Sequence, residues 1–319
     1  MSDASAVVNR PGYRPYRATV TAVRRLSPTF VRVSFTGPGF EHFADHARDQ
    51  RVKVVFPKDD RCYADLGVDD EDAILRGEWY ARWRALPDDR RSPFRTYTVR
   101  AVDTASRRVD IDFVTHTEDG HPSGPGSAWL HTAMPGDAVV IVGPDARSEH
   151  SDTGMDWKPG NATELLLLGD ETAAPAITGI LERLPAPCRA TALIEVPDRG
   201  DVIPVDSVAD VDVRWLPRDG APVGSLLVPA LHEWRRADRS VVDAAHADTV
   251  QELDDIDVDT QILWDSPEPE STGEFYAWLA GESAVIKQLR RLLVTDWGVD
   301  RRRVAFMGYW RQGVAERTG

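Results

Sequence analysis

The chain has 319 residues, enough for two domains with separate cores, and a formal net charge of -14. Such acidity argues against a nucleic-acid partner, whose phosphates need a basic surface, and makes any local group of Arg and Lys stand out as an anion site. Its two cysteines, Cys62 and Cys188, lie far apart without the paired spacing of a zinc or iron-sulfur site.

The N-terminal residues Met1 to Arg10 have no apolar run of signal-peptide type, and no later stretch approaches the length of a membrane span. A cytoplasmic protein with no membrane partner is expected. Alternating strand patterns follow at Arg17–Arg25, Thr29–Phe35 and Arg51–Phe56. Residues 58–93 then read as a charged excursion with one helix over Asp70–Leu86, carrying Trp79, Tyr80 and Trp83. More strands are expected from Arg95, over Arg108–His116 and over Asp137–Val142. Six strands at this spacing, without long helices between them, predict a small antiparallel barrel.

Within the fourth strand, Arg95-Thr96-Tyr97-Thr98-Val99-Arg100 holds the residue types of a flavin site. A guanidinium grips a phosphate with parallel hydrogen bonds, an aromatic ring covers a flat ring system, and a hydroxyl bonds its nitrogen or carbonyl. The same residues also make an ordinary strand, because Tyr, Thr and Val all favour one. Gly124-Pro125-Gly126 leads into a short helix expected to begin near Ser127, with Trp129 and Leu130 following. Backbone N–H groups at such a start suit a pyrophosphate, although a plain loop-to-helix turn uses the same residues.

A polar connector at His150–Asn161 marks a boundary, giving domains 1–155 and 156–319. Beyond it Glu164–Leu168 is a continuous apolar run, as in a parallel strand buried on both faces. Helices are expected over Ala173–Leu184 and Glu282–Trp297, and strands over Ala190–Val196, Val211–Leu216, Phe275–Ala280 and Arg303–Gly308. Alternating strands and helices predict an open α/β nucleotide-binding layer, with Gly169–Thr172 and Gly281–Ser283 at its ligand edge. No G-x-G-x-x-G fingerprint occurs. The acidic stretch Asp238–Glu270 reads as a solvated surface segment or mobile loop.

In order along the chain, these motifs resemble the siderophore-interacting protein family, flavin-dependent ferric-siderophore reductases of the ferredoxin-reductase superfamily. The resemblance rests on Arg95–Arg100, Asp112–His116, Gly124–Gly126 with Trp129, Gly169–Ala176, Trp278–Glu282 and Gly308–Arg311. It implies a six-stranded antiparallel FAD-binding β-barrel followed by an α/β nucleotide-binding domain with a parallel sheet. Arg95, Thr96, Tyr97, Thr98, Asp112, Val114, His116, Gly124, Gly126, Ser127 and Trp129 would then hold FAD. Gly169, Asp170, Glu171, Thr172, Ala280, Gly281 and Glu282 would line the side of NADH or NADPH, the electron donor. Lys53, Arg147 and Arg311 would receive a ferric siderophore. A monomer without a catalytic side chain or resident metal is expected, the flavin carrying the chemistry. Two features depart from the family pattern: an insertion at Thr117–Ser123, and glycine at 126 where alanine is usual. The competing functions are a general NAD(P)H-flavin or ferric-chelate reductase and a non-enzymatic module that binds FAD and a ferric chelate.

Overall fold

A computed structural model describes residues 10–46, 48–118, 121–249, 251, 253, 263–267 and 273–313. The chain divides into two compact units, Met1–Arg24 with Val31–Met155, and Arg25–Phe30 with Asp156–Gly319. No helix among the described residues is long and apolar enough to cross a membrane.

The elements of the first half are β1 (Tyr13–Arg25), β2 (Phe30–Thr36), β3 (Arg51–Val55), α1 (Arg61–Asp65), α2 (Glu71–Leu75) and α3 (Trp79–Ala85). They continue as β4 (Phe94–Asp103), β5 (Arg108–Val114), β6 (Thr117–Glu118), β7 (His121–Pro122), α4 (Gly124–Thr132) and β8 (Ala138–Pro144). Six of these strands close a barrel in the order β1-β2-β5-β4-β3-β8, antiparallel as expected. Alternation decides what fills it, because successive side chains point to opposite faces. Tyr16, Ala18, Val20, Val33, Phe35, Val52, Val54, Ile111, Phe113 and Ile141 form one buried cluster inside. Thr117–Glu118 and His121–Pro122 pair as β6 and β7, and the Ser123 N–H donates to the His116 carbonyl at 2.8 Å.

The excursion at 58–93 is not a loop with one helix. Gly67 and Gly77 adopt left-handed conformations, with φ of 66° and 67°, and divide it into α1, α2 and α3. Asp70 starts α2 by accepting the Ala73 N–H at 3.1 Å. These helices carry Cys62, Tyr63, Leu66 and Trp83 onto the outer face of the barrel, where Val55, Phe94, Val140 and Val142 complete a second core. Strands β3, β4 and β8 are therefore covered on both faces there.

The second half contains β9 (Glu164–Gly169), α5 (Ala174–Leu181), β10 (Arg189–Val196), β11 (Asp210–Pro217), α6 (Leu227–Ala237) and α7 (Arg239–Ala244). After these come β12 (Trp264–Asp265), β13 (Phe275–Glu282), α8 (Ser283–Arg290) with a π-helical continuation over Arg291–Asp296, and β14 (Val304–Trp310). The sheet order is β11-β10-β9-β13-β14-β12, parallel except for the antiparallel edge strand β12. Leu166 and Leu168 of β9 face the apolar layer of α6, α7 and α8.

The acidic stretch is in part structural rather than a solvated segment. Val242 and Ala245 are buried in this core, and Asp238 pairs with Arg189 at 3.0 Å. The rest of it, apart from 251, 253 and 263–267, lies outside the described residues beyond 249.

Strand order reverses between β9 and β13, since β10 and β11 extend from one side of β9 while β13 and β14 lie on the other. In an open α/β sheet this switch point, at the carboxyl ends of the strands, is where a ligand finds a crevice.

Candidate functional site

Three places concentrate the candidate side chains, two in the barrel unit and one in the sheet unit. At the first, the β4 alternation puts Arg95 and Tyr97 on one face and Thr96 and Thr98 on the other. Tyr97 is half-buried, its ring centroid 4.3 Å from that of Phe113. Its phenol lies against the start of α4, where a Cβ on residue 126 would fall 2.1 Å from the Tyr97 oxygen. Glycine at 126 is thus matched to the position of this ring. Arg95 donates from Nη1 to the Phe94 carbonyl at 2.8 Å, which orients its guanidinium.

The N-terminus of α4 has the features an anion requires. Ser123 provides no side-chain cap, no acid occupies the first turn, and Gly124 holds φ of 78° with open space beside it. Ser127 is buried, and its hydroxyl accepts the His116 N–H at 3.0 Å, tying the helix start to the end of β5. Other expected cofactor residues have structural duties. Asp112 is gripped by Arg32 through bonds of 2.6 and 2.7 Å, with Arg100 at 3.7 Å, a cross-strand ion triad over β2, β5 and β4. Trp129 packs against Phe35, Phe56 and Phe113 at the edge of the barrel core. Val114 is half-buried and His116 exposed.

The second place is a pocket of about 400 Å³ whose lining includes Tyr13, Arg51, Lys53, Trp79 and Thr96. Register pairs Lys53 with Thr96 and Val52 with Tyr97, so Lys53 and Tyr97 point to opposite faces of the strands. The Lys53 ammonium donates to the Thr96 hydroxyl at 3.2 Å and stands 4.9 Å from the Phe94 ring centre. The 58–93 segment gives the pocket Gly77 and Trp79. Arg147 is engaged elsewhere: its guanidinium makes bonds of 2.8 and 2.7 Å to buried Asp145, an ion pair that holds the Asp145 carboxyl below the usual carboxylate range. Arg311 follows β14 and belongs to the second unit.

The third place is the carboxyl edge of the sheet at the switch point. Gly169 ends β9 where a Cβ would fall 2.4 Å from that of Ala173 and 2.6 Å from the Ala280 carbonyl. The next residue, Asp170, is buried and accepts four bonds: Thr172 N–H at 2.9 Å, Thr172 hydroxyl at 2.5 Å, Glu282 N–H at 2.8 Å and the Trp310 indole N–H at 2.7 Å. Gly281 is required beside it, with φ of 149° and no room for a Cβ, which would lie 2.6 Å from an Asp170 oxygen. Glu282 caps α8 with its own carboxylate, accepting the N–H groups of Ala284 and Val285 at 2.8 and 3.0 Å. Glu171 binds Arg218 through bonds of 2.8 and 2.7 Å, and Glu195 stands 3.7 Å from the same guanidinium.

Comparison with known proteins follows the same two-unit division. Residues 19–148 match the siderophore-interacting FAD-binding domain and residues 162–313 match the siderophore-interacting protein domain. A protein of Mycobacterium tuberculosis is 33% identical over 307 residues, covering 95% of this chain and 93% of its own. The chain belongs to the siderophore-interacting protein family. Among relatives of this family, the ferric vibriobactin reductase ViuB of Vibrio cholerae is 24% identical, over 96% of this chain and 93% of its own. The crystal structure of a siderophore utilization protein from T. fusca superimposes with a TM-score of 0.65 at 28% identity, covering 97% of both chains.

In this member of the siderophore-interacting family, sequence reasoning passes over Arg51, Tyr13 and Trp79. The alternation of β3 places Arg51 on the same face as Lys53 and is a legible signal; the arrival of Trp79 depends on the tertiary packing of α3. Asp170 also has a measurable consequence. Burial, then the neighbouring Glu171 charge, push its carboxyl up from 3.8 to about 7, against the four donors that favour the ionised form. Between those values the native chain holds more proton than the unfolded chain, so stability falls as pH rises across the window. Asp145 and Asp300, whose carboxyls are depressed, act below it. Thermal unfolding of the sheet unit is expected at a lower temperature at the upper end of this window than at the lower. Asp170→Asn flattens that slope whatever it does to the absolute midpoint; an unchanged slope in the variant assigns the effect to another group.

Proposed function

We propose that this chain is an FAD-dependent ferric-siderophore reductase that takes electrons from a reduced nicotinamide nucleotide and delivers them to siderophore-bound Fe(III). The observation that carries the reading is the phenol of Tyr97 seated on Gly126 beside the uncapped start of α4, inside the segment that matches an FAD-binding domain. Those residues fit the cofactor. Arg95 and the first-turn N–H groups of α4 would hold its diphosphate, while Tyr97 would contact its ring; Thr98, expected to join it, is buried on the opposite face of β4. Bound there, FAD supplies the conversion of a two-electron donor into single-electron transfers, which a nicotinamide performs poorly.

The protein's own contribution is positioning and charge, with no nucleophile or acid-base residue required. Reduction of the metal weakens its complex with hard oxygen ligands, which suit Fe(III) better than Fe(II). Against a net charge of -14, an anionic chelate needs a local cation cluster. Arg51 and Lys53 provide one in the barrel-unit pocket, with Trp79 and Tyr13 as aromatic walls. The named activity of ViuB supports this choice over a general flavin reductase.

Lys53→Ala is expected to raise KM for an anionic ferric catecholate by about tenfold, the scale of one charge-assisted contact. The rate at which reduced nicotinamide bleaches the flavin should stay within twofold. Steady-state kinetics beside stopped-flow flavin reduction make the comparison. An unchanged KM removes Lys53 from the substrate site.

A further inference from the structure

In a dinucleotide-binding sheet, the residue beyond the second strand reads the adenosine ribose: an acid accepts from a free 2′-hydroxyl, whereas an arginine accommodates a 2′-phosphate. In this chain the corresponding edge holds Glu195 near the end of β10 and Arg218 just after β11. Arg218 is placed where it would select the phosphorylated nucleotide, but its charge is already balanced. Glu171 takes it in a bidentate pair at 2.7 and 2.8 Å, and Glu195 adds a second carboxylate at 3.7 Å. The side chains of Arg218, Glu171 and Glu195 are only 12%, 2% and 0% exposed, so water screens this cluster poorly. Glu195 is fixed besides by the N–H groups of Gly224 and Leu226, at 2.7 and 2.9 Å.

Two buried carboxylates against one guanidinium leave the cluster with an excess negative charge. The other arginine near this edge, Arg199, is exposed and paired with Asp219. From this arrangement we infer that the nucleotide edge selects against the 2′-phosphate, so that NADH, not NADPH, is the nicotinamide donor. The selection is negative: the Arg218 fork that would bind the phosphate is held by Glu171, and the surplus carboxylate repels a dianion. This rests on the reductase reading above.

Isothermal titration of the FAD-loaded protein with NAD+ and with NADP+, which bind without turning over, separates the two claims. Binding of NADP+ at least tenfold weaker than NAD+ is expected, with the gap narrowing as salt is raised. In anaerobic stopped flow, NADH should bleach the flavin at least tenfold faster than NADPH at equal subsaturating concentrations. Glu171→Gln, which keeps the shape of the pair and removes one charge, should strengthen NADP+ binding relative to NAD+ several-fold. Glu195→Gln provides the same test should the first variant not fold. Equal or tighter binding of NADP+ by the wild-type protein overturns the inference while leaving the reductase reading intact. Failure of both nucleotides to bind or to bleach the flavin overturns the two together. A ratio unmoved in a folded Gln variant removes the carboxylate cluster as its cause.

Discussion

Replacing Trp83 by alanine should destabilise the barrel unit by about 3–5 kcal/mol, the cost of deleting a fully buried aromatic side chain. Trp83 is 1% exposed and sits at the centre of the helical layer on the outer face of the barrel. Its ring lies 4.8 Å from that of Phe94 on β4 and stacks at 5.8 Å on Tyr80, and its indole N–H donates to the Ser92 carbonyl at 2.8 Å. Alanine leaves a cavity among these rings and an unpaired buried carbonyl, both unfavourable. The loss is a large share of the roughly 5–15 kcal/mol that holds a domain folded. The effect should reach the pocket at Lys53 as well, because Trp79, which lines it, lies on the same helix α3 and has its ring centroid 6.2 Å from that of Phe94. Urea unfolding followed by circular dichroism measures the first effect and chelate binding the second. Trp83→Phe, which keeps most of the volume but loses the N–H, should fall between the two. A loss below about 1 kcal/mol for the alanine variant would mean that the layer is not a packed core.

Arg95→Ala should weaken FAD binding by about ten- to a hundredfold, corresponding to the roughly 1.5–3 kcal/mol of a hydrogen bond to a charged group. The Phe94 carbonyl orients this guanidinium on the face it shares with Tyr97. A fork so placed binds a diphosphate by geometry as well as charge, which is why lysine should recover only part of the affinity. Quenching of free FAD fluorescence on titration with apoprotein gives the dissociation constants. An alanine variant that binds FAD as tightly as the parent removes Arg95 from the cradle.

How far the residues alone disclose this arrangement depends on what fixes each element. Where a strand is half-buried, as β2 is with Val31, Val33 and Phe35 inside, the alternating pattern carries its position. The run at Leu165–Leu168 disclosed β9 for the opposite reason, because both faces of that strand are buried. The helical layer over the barrel was less legible. Its helices are short, of 5, 5 and 7 residues, too short to establish a period, and the first two stop at glycines whose left-handed backbone does not show in composition. Sequence reading also passes over α6, although its buried Leu227, Ala230, Leu231 and Trp234 follow helical spacing. Within the acidic stretch, charge drew attention away from the apolar Val242 and Ala245 that anchor it.

The candidate site divides in the same way. Arg95, Tyr97 and Gly126 could be picked out by residue type, but the seating of the Tyr97 phenol against residue 126 is tertiary. Asp112 and Arg147 have suitable chemistry in the sequence, yet their charges are taken by Arg32 and Asp145. No local pattern reveals whether a charged side chain meets a ligand or an ion partner from elsewhere in the fold. The Glu171–Arg218 pair, 47 residues apart in sequence, is the same case.

Anaerobic mixing of the FAD-loaded protein with NADH, followed by a ferric tris-catecholate chelate, tests the reductase account most directly. The account predicts that the yellow absorbance bleaches with NADH and returns when the chelate is added, with roughly two ferrous ions trapped for each flavin. A flavin that stays oxidised with NADH and NADPH alike, in a protein that still binds the chelate, would contradict it and leave a binding module in its place.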